Sequence, residues 1–244
     1  MNNAHLLASE FILQNQSLLT TAVTNHIYHL DDRNLNENLP PNYEISLRDV
    51  NYHLTYLAEA VLFSDNALFD SYLDWLRVLF SNLGLPESTL SDTLAAMRIV
   101  LKQEMPSLLY QNVQPYLTLS ESEPTETITM APSFFTADNP QSELGQQYLQ
   151  ALLQADRQQA TQLIMNAVEN GVSIQDVYLN VFQRSQYEIG RLWQTNQIGV
   201  AQEHYCTAAT QMIMSMLYPR IFRTKRNGRS LVSACVSSEL HELG

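Results

Sequence analysis

Apolar residues recur at intervals of three, four and seven along most of this chain, the spacing of helices that bury one face. Leu6, Leu7, Phe11, Ile12, Leu18, Leu19, Val23 and Ile27 keep that rhythm, so residues 3–30 are predicted as one helix. The Asp-, Asn- and Pro-rich stretch from Asp31 to Asn42 is predicted as a loop. A second helix is expected from near Ser46 to about Phe63, with Ser46 and Asp49 spaced like a capping box. Asp65 suits the cap of a third helix running to Leu83, and Gly84 suits its stop. Pro86 opens a fourth that ends near Pro106, and a short fifth covers Ser107 to Tyr116.

The pattern lapses between 119 and 142. Ser, Glu and Pro dominate there, which reads as an acidic linker after an N-terminal helical domain spanning 1–118. Helical spacing returns near 143–155, 157–170, 174–195 and 199–222, punctuated by Asp156, Ser173 and the Gln197–Gly199 break. Then the period changes. Ser230 to Ser237 is short, apolar and β-branched, the pattern of a buried strand. The expected fold class is all-α: an N-terminal bundle, a second four-helix unit over 143–228, and a lone C-terminal strand with its loop over 229–244.

Composition narrows the function. The 244 residues carry 13 basic and 25 acidic side chains, a net charge of −12, which argues against a general grip on nucleic acid. Five of the basic residues (Arg220, Arg223, Lys225, Arg226 and Arg229) sit together at and just past the end of the last helix, where they suit the negative end of its dipole. Cys206 and Cys235 cannot make a disulfide framework, so a reducing compartment is expected. No apolar run approaches the ~18 residues that span a bilayer, and Met1 to Glu10 lacks signal-peptide character. A cytoplasmic protein without membrane partners is expected. No phosphate loop, zinc spacing or hydrolytic constellation appears.

Candidate chemistry concentrates toward the C-terminus. His241 follows the expected strand, with Glu239 placed to hold one ring nitrogen and set the tautomer, as partners of metal-binding histidines do. Gly244 would allow a bulky ligand to come close. Upstream, Tyr178, Phe182, Ile189 and Trp193 form one helical stripe, and Val200, His204, Ala208 and Met212 another. An ordinary bundle core with a buried indole and a hydrogen-bonded histidine would produce the same stripes.

Three segments together resemble the helical cap of cobalamin-binding proteins: Asn170 to Tyr178, Tyr187 to Trp193 and Val200 to His204. Glu239-x-His241-x-x-Gly244 resembles the Asp/Glu-x-His-x-x-Gly motif that follows that cap. The resemblance covers roughly 143–244. It implies a four-helix cap over the upper corrin face and makes His241 the lower axial ligand of cobalt. Trp193, nine intervening residues, then Glu203-His204 is similar to the pattern of light-sensing adenosylcobalamin proteins, with Val200 as a small apolar contact. Gln194 stands where some of these sensors have a second histidine. The family's Rossmann-like domain takes on the order of 100 residues. Only its first strand and loop are expected here, which implies a truncated domain and weak or no corrin binding by this chain alone.

What this implies is a cobalamin-binding sensory or regulatory switch, using adenosylcobalamin, with a homo-oligomer or an output protein as possible partner. Two alternatives stay open: a corrinoid carrier for methyl transfer, and a cofactor-free helical interaction module. The N-terminal domain has His26, Tyr28, His29, Tyr52, His53, Tyr56 and Trp75 on helices suited to a flat conjugated ligand. It is similar to the bilin-binding unit of photocobilins, which implies a bilin; an interaction or dimerisation domain is the other reading.

Overall fold

The computed structural model describes residues 3–29, 40–119, 132–221, 228–230 and 232. They are helical, and no strand occurs among them. The expected strand at 230–237 lies outside the described residues except for Ser230 and Val232, and Glu239, His241 and Gly244 lie outside them entirely. The chain divides into two compact units, Met1–Thr129 and Met130–Gly244. Among the described residues no helix is long and apolar enough to cross a membrane.

The first unit comprises α1 (Asn3–Gln14), α2 (Gln16–Ile27), α3 (Tyr43–Phe63), α4 (Asn66–Asn82), α5 (Ser88–Glu104) and α6 (Ser107–Leu119). The long α3 is its centre: α1, α2, α4 and α6 all pack on it. Leu54, Leu57, Ala58 and Val61 are fully buried along that helix. Burial of each large aliphatic side chain stabilises the unit by about 1.5–3 kcal/mol.

Two expectations need correction. The single helix over 3–30 is broken at Asn15, whose side-chain Nδ2 donates to the Phe11 carbonyl at 2.8 Å. Asparagine offers the backbone a local alternative to the helical ladder, so the turn there departs from α geometry although the apolar rhythm continues. The second helix begins at Tyr43, not Ser46, behind Asn42 in the left-handed region. Ser46 lies inside it, and its hydroxyl pairs with Tyr28 Oη at 2.9 Å, so the Ser46–Asp49 capping box does not form. Asp65 does cap α4, accepting from Ala67 N at 2.9 Å, and Gly84 past its end has φ +69°.

The aromatic and histidine residues of this unit are divided between core and surface. His53 is buried, with Nδ1 2.6 Å from Tyr72 Oη, and Tyr56 stacks on Tyr72 with ring centroids 3.8 Å apart. Tyr52, Tyr56 and Trp75 are exposed, as are His26 and His29.

The second unit comprises α7 (Ser142–Leu153), α8 (Arg157–Glu169), α9 (Ile174–Asp176) continuing through a π segment (Val177–Phe182) into α10 (Gln183–Gln194), and α11 (Val200–Ile221). Asp156 accepts from Gln159 N at 2.8 Å and Ser173 from Asp176 N at 3.0 Å, the local caps expected at those positions. Tyr148, Leu152, Ile164, Val181, Ile189 and Ile213 meet in its core. Residues 132–141, from the C-terminal half of the expected linker, lie on this core. Buried Glu188 holds them, its Oε2 accepting from Phe134 N at 2.9 Å and Ser133 Oγ at 3.1 Å. Asn139 donates to the Asn180 carbonyl inside the π segment at 2.9 Å. Burial would raise the Glu188 carboxyl, but Arg191, bonded to Oε1 at 2.6 and 3.0 Å, and the Phe134 and Ser133 donors hold it below the usual range.

Burial pushes His53 down to about 4 from its ordinary 6.5. Between those values the unfolded chain binds the extra proton, so the stability carried by a neutral His53 is complete above about pH 6.5 and is lost as pH falls toward 4. The loss is on the order of 1 kcal/mol per pH unit at most. Asp49, raised chiefly by burial, works in the opposite sense in more acidic solution. Calorimetric melting from pH 7 to pH 5 should show the first unit losing stability, and His53→Gln should flatten that slope. Equal slopes in the two proteins would contradict the assignment.

Candidate functional site

The turn between α10 and α11 positions three of the expected site residues. Asn196 takes the left-handed conformation with φ +55°. Its N–H bonds the Trp193 carbonyl at 2.9 Å, and Gln197 N bonds the Leu192 carbonyl at 2.8 Å, the pair of bonds that closes a Schellman motif. Trp193 is thereby held in the last turn of α10, half-buried against the second core. Ile198 is buried, which draws the chain back to the core before Gly199 starts α11. The Gly199 carbonyl accepts from Gln202 N and Glu203 N at 3.0 and 3.1 Å, opening the helix.

Glu203 and His204 follow in the first turn, where a negative charge suits the positive end of the helix dipole. Glu203 Oε2 and His204 Nδ1 are hydrogen-bonded. An ionised carboxylate only accepts, so Nδ1 carries the proton and Nε2 is the outward nitrogen. The His204 side chain is 74% exposed against 25% for Glu203. Val200, His204 and Ala208 of that stripe are therefore surface while its Met212 packs on the core, as do Phe182 and Ile189 of the other stripe. This is not the ordinary core histidine that the spacing also allowed. Gln194, at the position of the second histidine in some sensors, is buried.

Behind the pair lies a polar column that the sequence did not announce. Tyr148 Oη and Thr210 Oγ1, 62 residues apart and both fully buried, meet at 2.9 Å. Gln186 Nε2 donates to the same Thr210 oxygen at 2.9 Å, and Thr210 donates to the Cys206 carbonyl at 2.9 Å. Thr210 has thus spent its one proton, so Tyr148 is the donor in their bond. Burial pushes the Tyr148 hydroxyl far above its usual range, which keeps that proton in place. Burial likewise pushes the Cys206 thiol up to about 11, leaving it neutral and unreactive. A tyrosine in helical register with Leu144 and Leu152 and threonines at 207 and 210 inside a helix were the available signals of this column.

Residues 144–218 match the protein-family model described as B12 binding domain. Over that stretch the second unit is similar to a B12 binding domain. The match supports cobalamin as the ligand of this protein and covers all of α8, α10 and the site residues Trp193, Val200, Glu203 and His204. No match was found among curated proteins or among solved structures.

The column makes a stability prediction for the second unit. Thr210→Val leaves the buried Tyr148 hydroxyl and the Gln186 amide without their acceptor, and should cost about 1–3 kcal/mol. Adding Tyr148→Phe should recover part of that loss, because removing both members of a buried pair is less costly than removing one. Chemical denaturation of the two variants checks this; a Thr210→Val cost below about 0.5 kcal/mol would contradict it.

Proposed function

We propose that the second unit caps one face of a cobalamin whose cobalt His241 holds from the other side, and that the chain is a sensory or regulatory switch responsive to the adenosyl form. The observation that carries this is the preformed Glu203–His204 pair, exposed in the first turn of α11 just across the turn from Trp193. Glu239 would orient the His241 imidazole, and Gly244 would let the macrocycle approach, as the motif they form suggests.

The side chains around the turn fit a large flat ligand with a nucleoside above it. Val200 is 52% exposed, and at Gly190 and Gly199 nothing lies within 4 Å of where a Cβ would stand, so broad contact is not blocked there. The Trp193 indole offers a face for an adenine to pack on. The Glu203 carboxylate accepts from ribose hydroxyls. Adenosylcobalamin supplies a cobalt–carbon bond that light breaks. Loss of the nucleoside would return the indole and Val200 to water, which gives the free and bound states different apolar exposure, the differential a switch requires.

Titrating the full chain with adenosylcobalamin and methylcobalamin by absorbance tests the reading. The chain should prefer the adenosyl form several-fold. Trp193→Ala should weaken adenosylcobalamin about tenfold, the equivalent of ~1.4 kcal/mol of lost stacking, and leave methylcobalamin within about twofold. Equal affinity of the unaltered chain for both forms would contradict the adenosyl-responsive function.

A further inference from the structure

Glu203 stands in the first turn of α11 and bonds a histidine that is itself mostly in solvent. Neither feature alone would hold a carboxylate in one orientation. Its second oxygen is engaged from the interior: Thr207 Oγ1 lies 3.1 Å from Glu203 Oε1 and also 3.1 Å from Gln186 Oε1. Both neighbours are acceptors, and a threonine hydroxyl has one proton.

The Gln186 amide cannot turn round to relieve this. Its Nε2 donates to Thr210 Oγ1, and Thr210 has already given its proton to the Cys206 carbonyl. Proton counting from the core outward therefore fixes Gln186 Oε1 toward Thr207. The Thr207 proton then has two acceptors at equal distance, and the charged carboxylate is the stronger of them.

We propose that Thr207 and Gln186 are positioning residues for Glu203. They hold its carboxylate toward the ligand face in the free protein and release Oε1 to an incoming ligand hydroxyl when the Thr207 proton turns to Gln186. The exchange leaves no acceptor in the column empty: the ligand hydroxyl donates to Glu203, and Thr207 donates to Gln186. The ligand class is a vicinal diol such as a ribose. The proposal rests on the reading of Glu203 as a ligand contact.

Thr207→Val and Thr207→Ser in the full chain test it, with two readouts. The first is the Glu203 side-chain rotamer in the ligand-free chain, from carbon–proton couplings of labelled glutamate. One rotamer should dominate in the unaltered chain, average out in Thr207→Val, and return in Thr207→Ser. The second is adenosylcobalamin affinity by absorbance titration, which should fall about three- to tenfold in Thr207→Val and recover to within about twofold in Thr207→Ser, the range for one hydrogen bond. An unchanged rotamer distribution in Thr207→Val overturns the positioning role. Averaging that serine does not repair overturns it as well, because the hydroxyl is then not the operative group. Averaging with unchanged affinity overturns the hand-over to ligand. If the unaltered chain takes up no adenosylcobalamin, the ligand reading of Glu203 falls, and the rotamer measurement still decides whether Thr207 positions it.

Discussion

The bond between Tyr148 and Thr210 sets the arrangement of the second unit. Its surroundings are aliphatic: Leu152, Val181, Ile189 and Ile213 contribute apolar burial and dispersion, which have little direction. A buried hydroxyl and a buried amide have direction. They are costly unless paired, and the register that α7, α10 and α11 adopt pairs Tyr148, Thr210 and Gln186 at once. Once that register is set, the outward end of the column falls at Thr207 and Glu203. The position of the candidate site residues on the surface is thus a consequence of a proton count in the core.

The other face of the same helix is held by a different device. Glu188 draws residues 133 and 134 onto α10 by accepting from them at Oε2, while its Oε1 makes a nearly dry ion pair with Arg191, the Glu188 and Arg191 side chains being 6% and 10% exposed. Such a pair contributes direction more than net stability, because desolvation offsets most of its attraction. Asn139 adds a donor to the π segment, the least regular stretch of the long helix. Phe135 rests against Gly145, where a Cβ would stand 2.4 Å from its ring. Residues with the composition of a linker thus become a strap, because Glu188 reaches them and Asn139 and Phe135 reach back to the helices.

How much of this was legible in the sequence follows from the range of each interaction. The helix caps at Asp65, Asp156 and Ser173 act over two or three residues, and the sequence shows them directly. The four helices of the second unit were visible because their apolar faces are continuous. The break at Asn15 was not, because the apolar rhythm runs through it and only one side-chain bond marks it. The polar column was hidden for the opposite reason: the bonds that cross between its helices join residues 21 to 62 apart, which no local pattern pairs. Trp193 and Glu203-His204 stood out by spacing alone, yet spacing could not tell a core histidine from an exposed one. The Schellman turn and Ile198 decide that, by starting α11 where Val200, His204 and Ala208 face solvent.

We propose that cobalamin meets this protein at the α10–α11 turn of the second unit. Amide and indole resonances of the labelled full chain, followed while adenosylcobalamin is added, test it most directly. The Trp193 indole, His204 and the amides of 199–208 should move first and furthest, with the first unit little changed. Shifts confined to the first unit, or none around Trp193 while the cofactor binds, would contradict it.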